Sequence, residues 1–377
     1  MPDKDNLYWI FFDTSTIADY YLDVHNVLSL PPGFIVRYNY RKKYLSDLAI
    51  EALTNINCSP QKVLFVYSQL NSYKRGEITP NHPSDFDNML WVPFRTGELV
   101  KLSKPSEDDI NFDLQVGDYP DIENNILNKV LREQFTQNNT PYKKWVIIAE
   151  GIDTYNNLIE HNGSSGNYIK IINKIGSAPS QFAGDGFWKI HLEDKSENEI
   201  RPLLDLKSNT ATSYYNLKDD TEFIINVESH TPPEIDSRRA SKLSNQRNII
   251  ISSSDKNVID LEYEKSVRQY TEFHVNSKTK KIIGFGSRKC TLKFETKNGT
   301  SEYFIGPEFL INFEVSHKIW EVIFGITFAF FSIIFYISFS FLPIGESLFF
   351  IIPLAIAIVL AVLASYLLTR GIKFIFK

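Results

Sequence analysis

The sequence predicts three parts in series: an α+β N-terminal domain, an all-β immunoglobulin-like sandwich, and a C-terminal two-helix transmembrane hairpin. Three observations predict it. Residues 1–195 mix short apolar runs with helical spacings, residues 200–316 carry strand signals and no helical one, and two long uncharged runs close the chain. A length of 377 residues accommodates two or three domains. With 43% hydrophobic and 23% charged residues, a disordered or fibrous chain is excluded. A count of 40 Lys+Arg against 45 Asp+Glu, net −5, argues against a nucleic-acid coat, and no nucleic-acid partner is expected. The mean hydropathy of −0.20 averages a mixed body and an apolar tail.

In the first part, Tyr8 to Phe12 reads as a buried strand, being apolar, aromatic and short. After the turn Pro31-Pro32-Gly33, a second strand alternates. Phe34, Val36, Tyr38 and Tyr40 share one face; Ile35, Arg37, Asn39 and Arg41 share the other. A helix is predicted from Ser46 to about Ile56, and a strand over Val63 to Tyr67. Leu90 to Phe94 reads as a strand confined to an edge by Pro93. Ile122 to Phe135 has amphipathic helical spacing, Trp145 to Ala149 reads as a strand, Tyr168 to Ile175 as a helix and Phe187 to Leu192 as a strand.

Beyond the charged link Glu193 to Glu199, short strand signals recur. They fall at Tyr214–Leu217, Glu222–Glu228, Ile249–Ser253, Val258–Tyr263, Tyr270–Val275, Lys281–Gly284, Lys289–Thr296, Ser301–Ile305 and Phe309–Val315. Asn298-Gly299 between two of them is a hairpin signal. Many short strands with polar turns predict a sandwich over residues 200–316.

The hairpin is predicted over residues 319–370. Val322 to Leu342 is a run of 21 uncharged residues, and Ser347 to Thr369 a run of 23. Either run, as one helix, has the length to cross a bilayer. Lys318 before the first span and Arg370, Lys373 and Lys377 after the second place the body and the basic tail (371–377) in the cytosol of a bacterial inner membrane. No secretory signal is expected at Met1 to Asn6. Gly325 with Ala329, and Ala357, Ala361 and Ser365, form small-residue ridges; Ser332 and Tyr336 lie on a mildly polar stripe. Such ridges let helices approach closely, either within one hairpin or between copies. The expected partners are therefore the lipid bilayer and further copies of the chain.

Searches for chemistry return little. There is no GxxxxGK[ST], GxGxxG, HExxH or GxSxG, and the seven histidines are scattered. No catalytic residue, metal site or cofactor is expected, and the chain is not read as an enzyme. Cys58, Glu150 and Asp153 are the residues an enzymatic reading would use, against buried-cysteine and helix-cap readings. Gly163 to Gly166 reads as a helix cap or a phosphate cradle. Arg37, Arg41, Lys42 and Lys43, interleaved with Tyr38, Tyr40 and Tyr44, form a candidate ligand-binding group of guanidinium and aromatic faces. The competing reading is a solvated sheet face with its aromatics turned inward. A second basic group, Arg238, Arg239, Lys242 and Arg247, lies in a polar loop.

A body followed by a minimal two-helix hairpin resembles, in its order of parts and mainly over residues 200–377, the membrane-acting effectors of bacterial antiviral defence. No motif aligns, so the resemblance assigns no residue a role. It implies a body that senses a ligand or partner, such as a nucleotide or a protein from a neighbouring gene, and hairpins that oligomerise to disrupt the inner membrane. The alternative is a static membrane-anchored scaffold without pore activity.

Overall fold

The computed structural model describes residues 6–55, 61–70, 88–122, 126–136, 144–159, 165–178, 183–184, 186–206, 210–218, 221–232, 248–266, 270–277, 287–297, 304–305, 308–316, 326–327, 329–334 and 359. Two units are built from them, the first a sheet with helices on both faces. Its strands are β1 (Leu7–Asp13), β2 (Ile35–Arg41), β3 (Gln61–Leu70), β4 (Met89–Ser103), β5 (Asp109–Val116) and β6 (Val146–Glu150), in the order β2-β5-β4-β3-β1-β6. Only β1 and β3 run parallel; their register puts Asp13 opposite Tyr67. The helices are α1 (Ala18–Ser29), α2 (Asp47–Asn55), α3 (Ile126–Thr136), α4 (Ile152–Ile159) and α5 (Ser165–Ser177).

Strand alternation sorts the core into two layers. Trp9 and Phe11 of β1 face one way and join Tyr38, Tyr40, Phe65, Tyr67, α1, α2 and α5. Tyr8, Ile10 and Phe12 face the other way, toward α3 and α4. Ser46 caps α2 by accepting the Ala49 N–H at 3.2 Å. Pro93 does not mark an edge: β4 lies between β3 and β5. The ladder shifts register between Phe65 and Val66, opposite Arg95 and Pro93, and this bulge absorbs the missing N–H.

The second unit packs two sheets on one apolar core. After β7 (Ala183–Gly184) come β8 (Phe187–Asp194), β9 (Leu203–Asp205), β10 (Thr212–Lys218), β11 (Glu222–His230), β12 (Asn248–Ser253), β13 (Glu262–Ser266), β14 (Tyr270–Asn276), β15 (Ser287–Lys297), β16 (Phe304–Ile305) and β17 (Glu308–Ser316). Six strands run β13-β12-β15-β17-β10-β9, and three run β14-β11-β8. Trp188, Ile190, Phe223, Ile225, Ile251, Leu292, Ile311 and Phe313 fill the space between them. The strand expected to close the first domain, β8, instead pairs along its whole length with β11. Its alternation of Trp188, Ile190 and Leu192 inward with Lys189, His191 and Glu193 outward suits a sheet with one covered face. The Lys281–Gly284 strand and the Asn298-Gly299 turn lie outside the described residues.

The units meet along a polar seam. Asp113 Oδ2 accepts the Ala211 N–H at 2.7 Å, Ser213 Oγ accepts the Ile35 N–H at 3.0 Å, and Asn26 Oδ1 accepts the Glu308 N–H at 2.9 Å. Gly33, at φ +94°, lies so close to Pro202 that a Cβ there would stand 2.9 Å from its Cγ.

Two expectations are corrected. The composite fold class with a C-terminal transmembrane hairpin does not stand: the fold is mostly β, with few helices. Among the described residues no helix is long and apolar enough to cross a membrane. The multi-pass inner-membrane location falls with it. An uncharged run supplies a span only where the whole run is one helix. Ala329 and Ser332 lie in the described helical stretch 329–334. Gly325, Tyr336, Ala357, Ala361 and Ser365 lie outside the described residues, as do most of 322–342 and 347–369.

Candidate functional site

A buried polar cluster lies where the two parallel strands end. β1 stops at Asp13, and Thr14-Ser15-Thr16 turns the chain into α1; all four residues are buried. In alternation Asp13 follows Trp9 and Phe11, so its carboxyl enters the layer beneath α1. Tyr67 and Gln69 of β3 and Tyr38 and Tyr40 of β2 reach the same layer, and α1 adds Asp19, Tyr20 and Asp23 above it. Carboxyl ends of parallel strands are a recurrent place for ligands in layered α/β folds, because loops there diverge and leave a crevice.

The hydrogen bonds are incomplete in a particular way. Tyr38 Oη donates to Asp13 Oδ2 at 2.7 Å, while Asp13 Oδ1 is buried without a hydrogen-bond partner. Gln69 Oε1 accepts from both Ser15 Oγ and Tyr67 Oη, and the two hydroxyls stand 2.7 Å apart. Gln69 Nε2 and Tyr40 Oη are left buried and unpartnered. Each such group costs about 1–3 kcal/mol, so three together form a deficit that a ligand or water would relieve.

Burial pushes the Asp13 carboxyl well above the usual range; the Asp23 charge adds to this, and the Tyr38 bond opposes it. Asp23 is raised to about 7, by burial first and then by Asp19. Burial and these carboxylates also raise the Tyr20, Tyr38 and Tyr40 phenols. Burial thus favours the protonated, hydrogen-bonding form of Asp13, beside an Asp23 carboxyl raised to about 7. Such a pair can hold and exchange a proton, or receive a positive group.

Aromatic rings wall the outer side. Tyr20 stands edge-on to Trp145 at 4.3 Å and parallel to Tyr40 at 6.5 Å. Tyr44 stacks on Trp145 at 4.8 Å, and the Lys43 ammonium lies 4.9 Å above the Tyr44 ring.

The five residues singled out in the sequence are not brought together. Arg37 Nε is tied to Asp113 Oδ1 at 2.7 Å on the seam. Tyr38 turns inward to Asp13, Arg41 and Lys42 are exposed, and Lys43 sits at the pocket's aromatic rim. Glu150 pairs in register with Leu7, at the other end of β1, so Glu150 and Asp153 lie away from Asp13. Cys58, Gly163-Ser164 and the Arg238–Arg247 group lie outside the described residues. Among those described, no group of three His, Cys, Asp or Glu side chains is placed to hold a metal ion. The sequence reading passed over Asp13, Asp23 and Gln69; an aspartate ending an apolar strand before a Thr-Ser-Thr turn was the available signal.

Neither the protein-family models nor the curated proteins compared with the chain gives a match.

Proposed function

We propose that this chain is a ligand-responsive binding protein, the sensing body of an effector, in which a small molecule docks at the carboxyl ends of β1 and β3. The observation that carries this reading is Asp13: a fully buried carboxyl with one oxygen bonded to Tyr38 and the other without a partner. Folding gains little from such a group, and binding gains much.

Helix α1 gives the pocket a mechanical outlet. Its first turns carry Asp19, Tyr20 and Asp23; its last turns carry Asn26, bonded to the first residue of β17, and pack on β8. A ligand that draws Asp23 toward Asp13 favours one placement of α1, and therefore one placement of the seam. This works only if the ligand binds the two placements with different affinity. A defence role, implied by the sequence resemblance, is the setting we propose for this sensing, without the membrane hairpin, and with the trigger made by a neighbouring gene's product. An acidic pocket disfavours a phosphate-bearing trigger, so a nucleotide would have to use the exposed Arg41, Lys42 and Lys43 instead.

A thermal-shift screen of small metabolites on the wild type and on Asp13→Asn tests the binding reading. Stabilisation of the wild type alone is the expected result; equal shifts for both proteins would contradict it. Loss of phage protection in cells carrying Asp13→Asn tests the setting.

The second reading is a static scaffold, favoured by the bonded seam through Asp113, Ser213 and Asn26. Amide exchange at Glu308 separates the two, since a scaffold leaves it unchanged when the pocket is filled.

A further inference from the structure

The chemistry of the pocket narrows what it takes. The Asp23 carboxyl acts on Asp13, and Asp19, exposed on the first turn of α1, acts on Asp23; no described basic side chain forms an ion pair with any of them. The deepest of them keeps an oxygen without a partner. Flanking them, Tyr20, Tyr40, Tyr44 and Trp145 pack with centroids 4.3 to 6.5 Å apart. Tyr20, Tyr44 and Trp145 are half-buried. One ring already holds an ammonium: Lys43 lies over Tyr44.

We propose that the Asp13 pocket binds an organic cation, a protonated amine or quaternary ammonium group, seated between the aspartates and the aromatic rim. This deepens the ligand-binding reading and rests on it. Ring faces attract a cation through their quadrupole, most strongly where water is excluded, and buried carboxyls supply the counter-charge. A cation there offsets the burial that disfavours ionised Asp13 and Asp23, and the repulsion between those two carboxyls. An anionic ligand would meet the reverse, and a neutral one would leave the repulsion in place.

Proton release is the consequence. Asp23, raised to about 7 in the empty pocket, is lowered when a cation lies beside it, so binding expels a proton near neutrality. The groups facing the pocket are Asp13 on β1, Tyr38 and Tyr40 on β2, Tyr67 on β3, Asp19, Tyr20 and Asp23 on α1, and Tyr44 with Lys43 at the rim. Of these, Asp23 is the one whose raised value falls near neutrality.

The test uses the purified full chain with tetramethylammonium and ethylammonium as probes, and sodium acetate and neopentyl alcohol as anionic and neutral controls, by calorimetry in two buffers of different ionisation enthalpy. Saturable binding of the cations is expected, tightening roughly tenfold from pH 6 to pH 8, with protons released. Asp23→Asn, which removes the carboxyl that ionises near neutrality, is expected to weaken it at least tenfold, and Tyr44→Leu several-fold. Binding of the neutral probe in preference to the cations, lost in Asp13→Asn, would overturn the cation assignment and leave the pocket reading standing. No differential response of the wild type and Asp13→Asn to these probes or to the metabolite screen would overturn both. Cation binding that is independent of pH and survives Asp23→Asn would place the cation elsewhere and also overturn the proposal.

Discussion

The two units handle buried polarity in opposite ways. Among the described residues, the two-sheet unit buries no Asp, Glu, Lys, Arg or His; its buried polar side chains include Ser213, Asn226, Ser229, Ser277 and the Tyr215 phenol. Its charges stay outside in pairs such as Lys189–Glu228 and Lys195–Glu222. The sheet-and-helix unit instead buries Asp13, Arg95 and Asp113. These three are not equivalent. Asp113 is fully engaged, by Arg37 and the Ala211 N–H. Arg95 donates through Nη2 to the Leu30 carbonyl at 2.8 Å and lies 4.0 Å over the Tyr119 ring, closing the C-terminal end of α1, while its Nε and Nη1 are buried without a hydrogen-bond partner. Asp13 alone of the three is a carboxyl with an empty oxygen. A buried charge that is engaged serves the fold, and one that is not marks a place where the fold has left room for something else.

Substitutions sharpen this contrast, beginning with the largest. Trp188→Ala, in the centre of the two-sheet core, is expected to cost about 3–5 kcal/mol in denaturant unfolding. A small loss there would mean that core is loosely packed. Asp113→Ala strips a partner from both Arg37 and the Ala211 N–H. A loss of about 1–3 kcal/mol is expected, with faster amide exchange at Ala211, so that a neutral result would remove the seam from the account.

Asp13→Asn should do the opposite and stabilise the protein at pH 7 to 8, by about 1 kcal/mol or roughly 2–4 °C in Tm. Its sign follows from the raised pKa. Near pH 4 the unfolded chain loses the Asp13 proton, whereas the native state retains it to much higher pH. Native stability therefore falls as pH rises through that window, and Asp23 adds a second such window that closes at about 7. The variant should show a flatter decline, with the Asp23 share remaining. Lys42→Ala, on an exposed and unpaired position, should change stability by less than about 0.5 kcal/mol; a larger effect would give the basic strip a structural role that its exposure does not suggest.

Much of the first sheet could be read from residue order. The alternation Phe34, Val36, Tyr38, Tyr40 against Arg37, Asn39, Arg41 separates the faces of β2, with Tyr38 and Tyr40 buried and Arg37 and Arg41 exposed. It gave no hint that the pairing partner of Arg37 lies 76 residues away. Two elements that frame the pocket went unread. The alternation Ile110, Phe112, Leu114, Val116 was a legible strand, β5, and Tyr21, Val24, Val27, Leu28 a legible helical stripe on α1. Pro93 misled because a bulge, which depends on both partner strands, is invisible in one of them. The pocket itself was the least legible. It joins Asp13, Tyr38 and Gln69 from three strands, and a missing hydrogen bond can be counted only once the fold has placed every neighbour.

The central claim is that Asp13 is held protonated and half-satisfied in the folded protein. Infrared difference spectra of the wild type against Asp13→Asn at neutral pH test it most directly. The account requires a protonated-carboxyl band in the wild type that is missing from the variant. If the two proteins show the same carboxyl spectrum, with no protonated acid at neutral pH, Asp13 is an ordinary ionised aspartate and the binding pocket built around it is wrong.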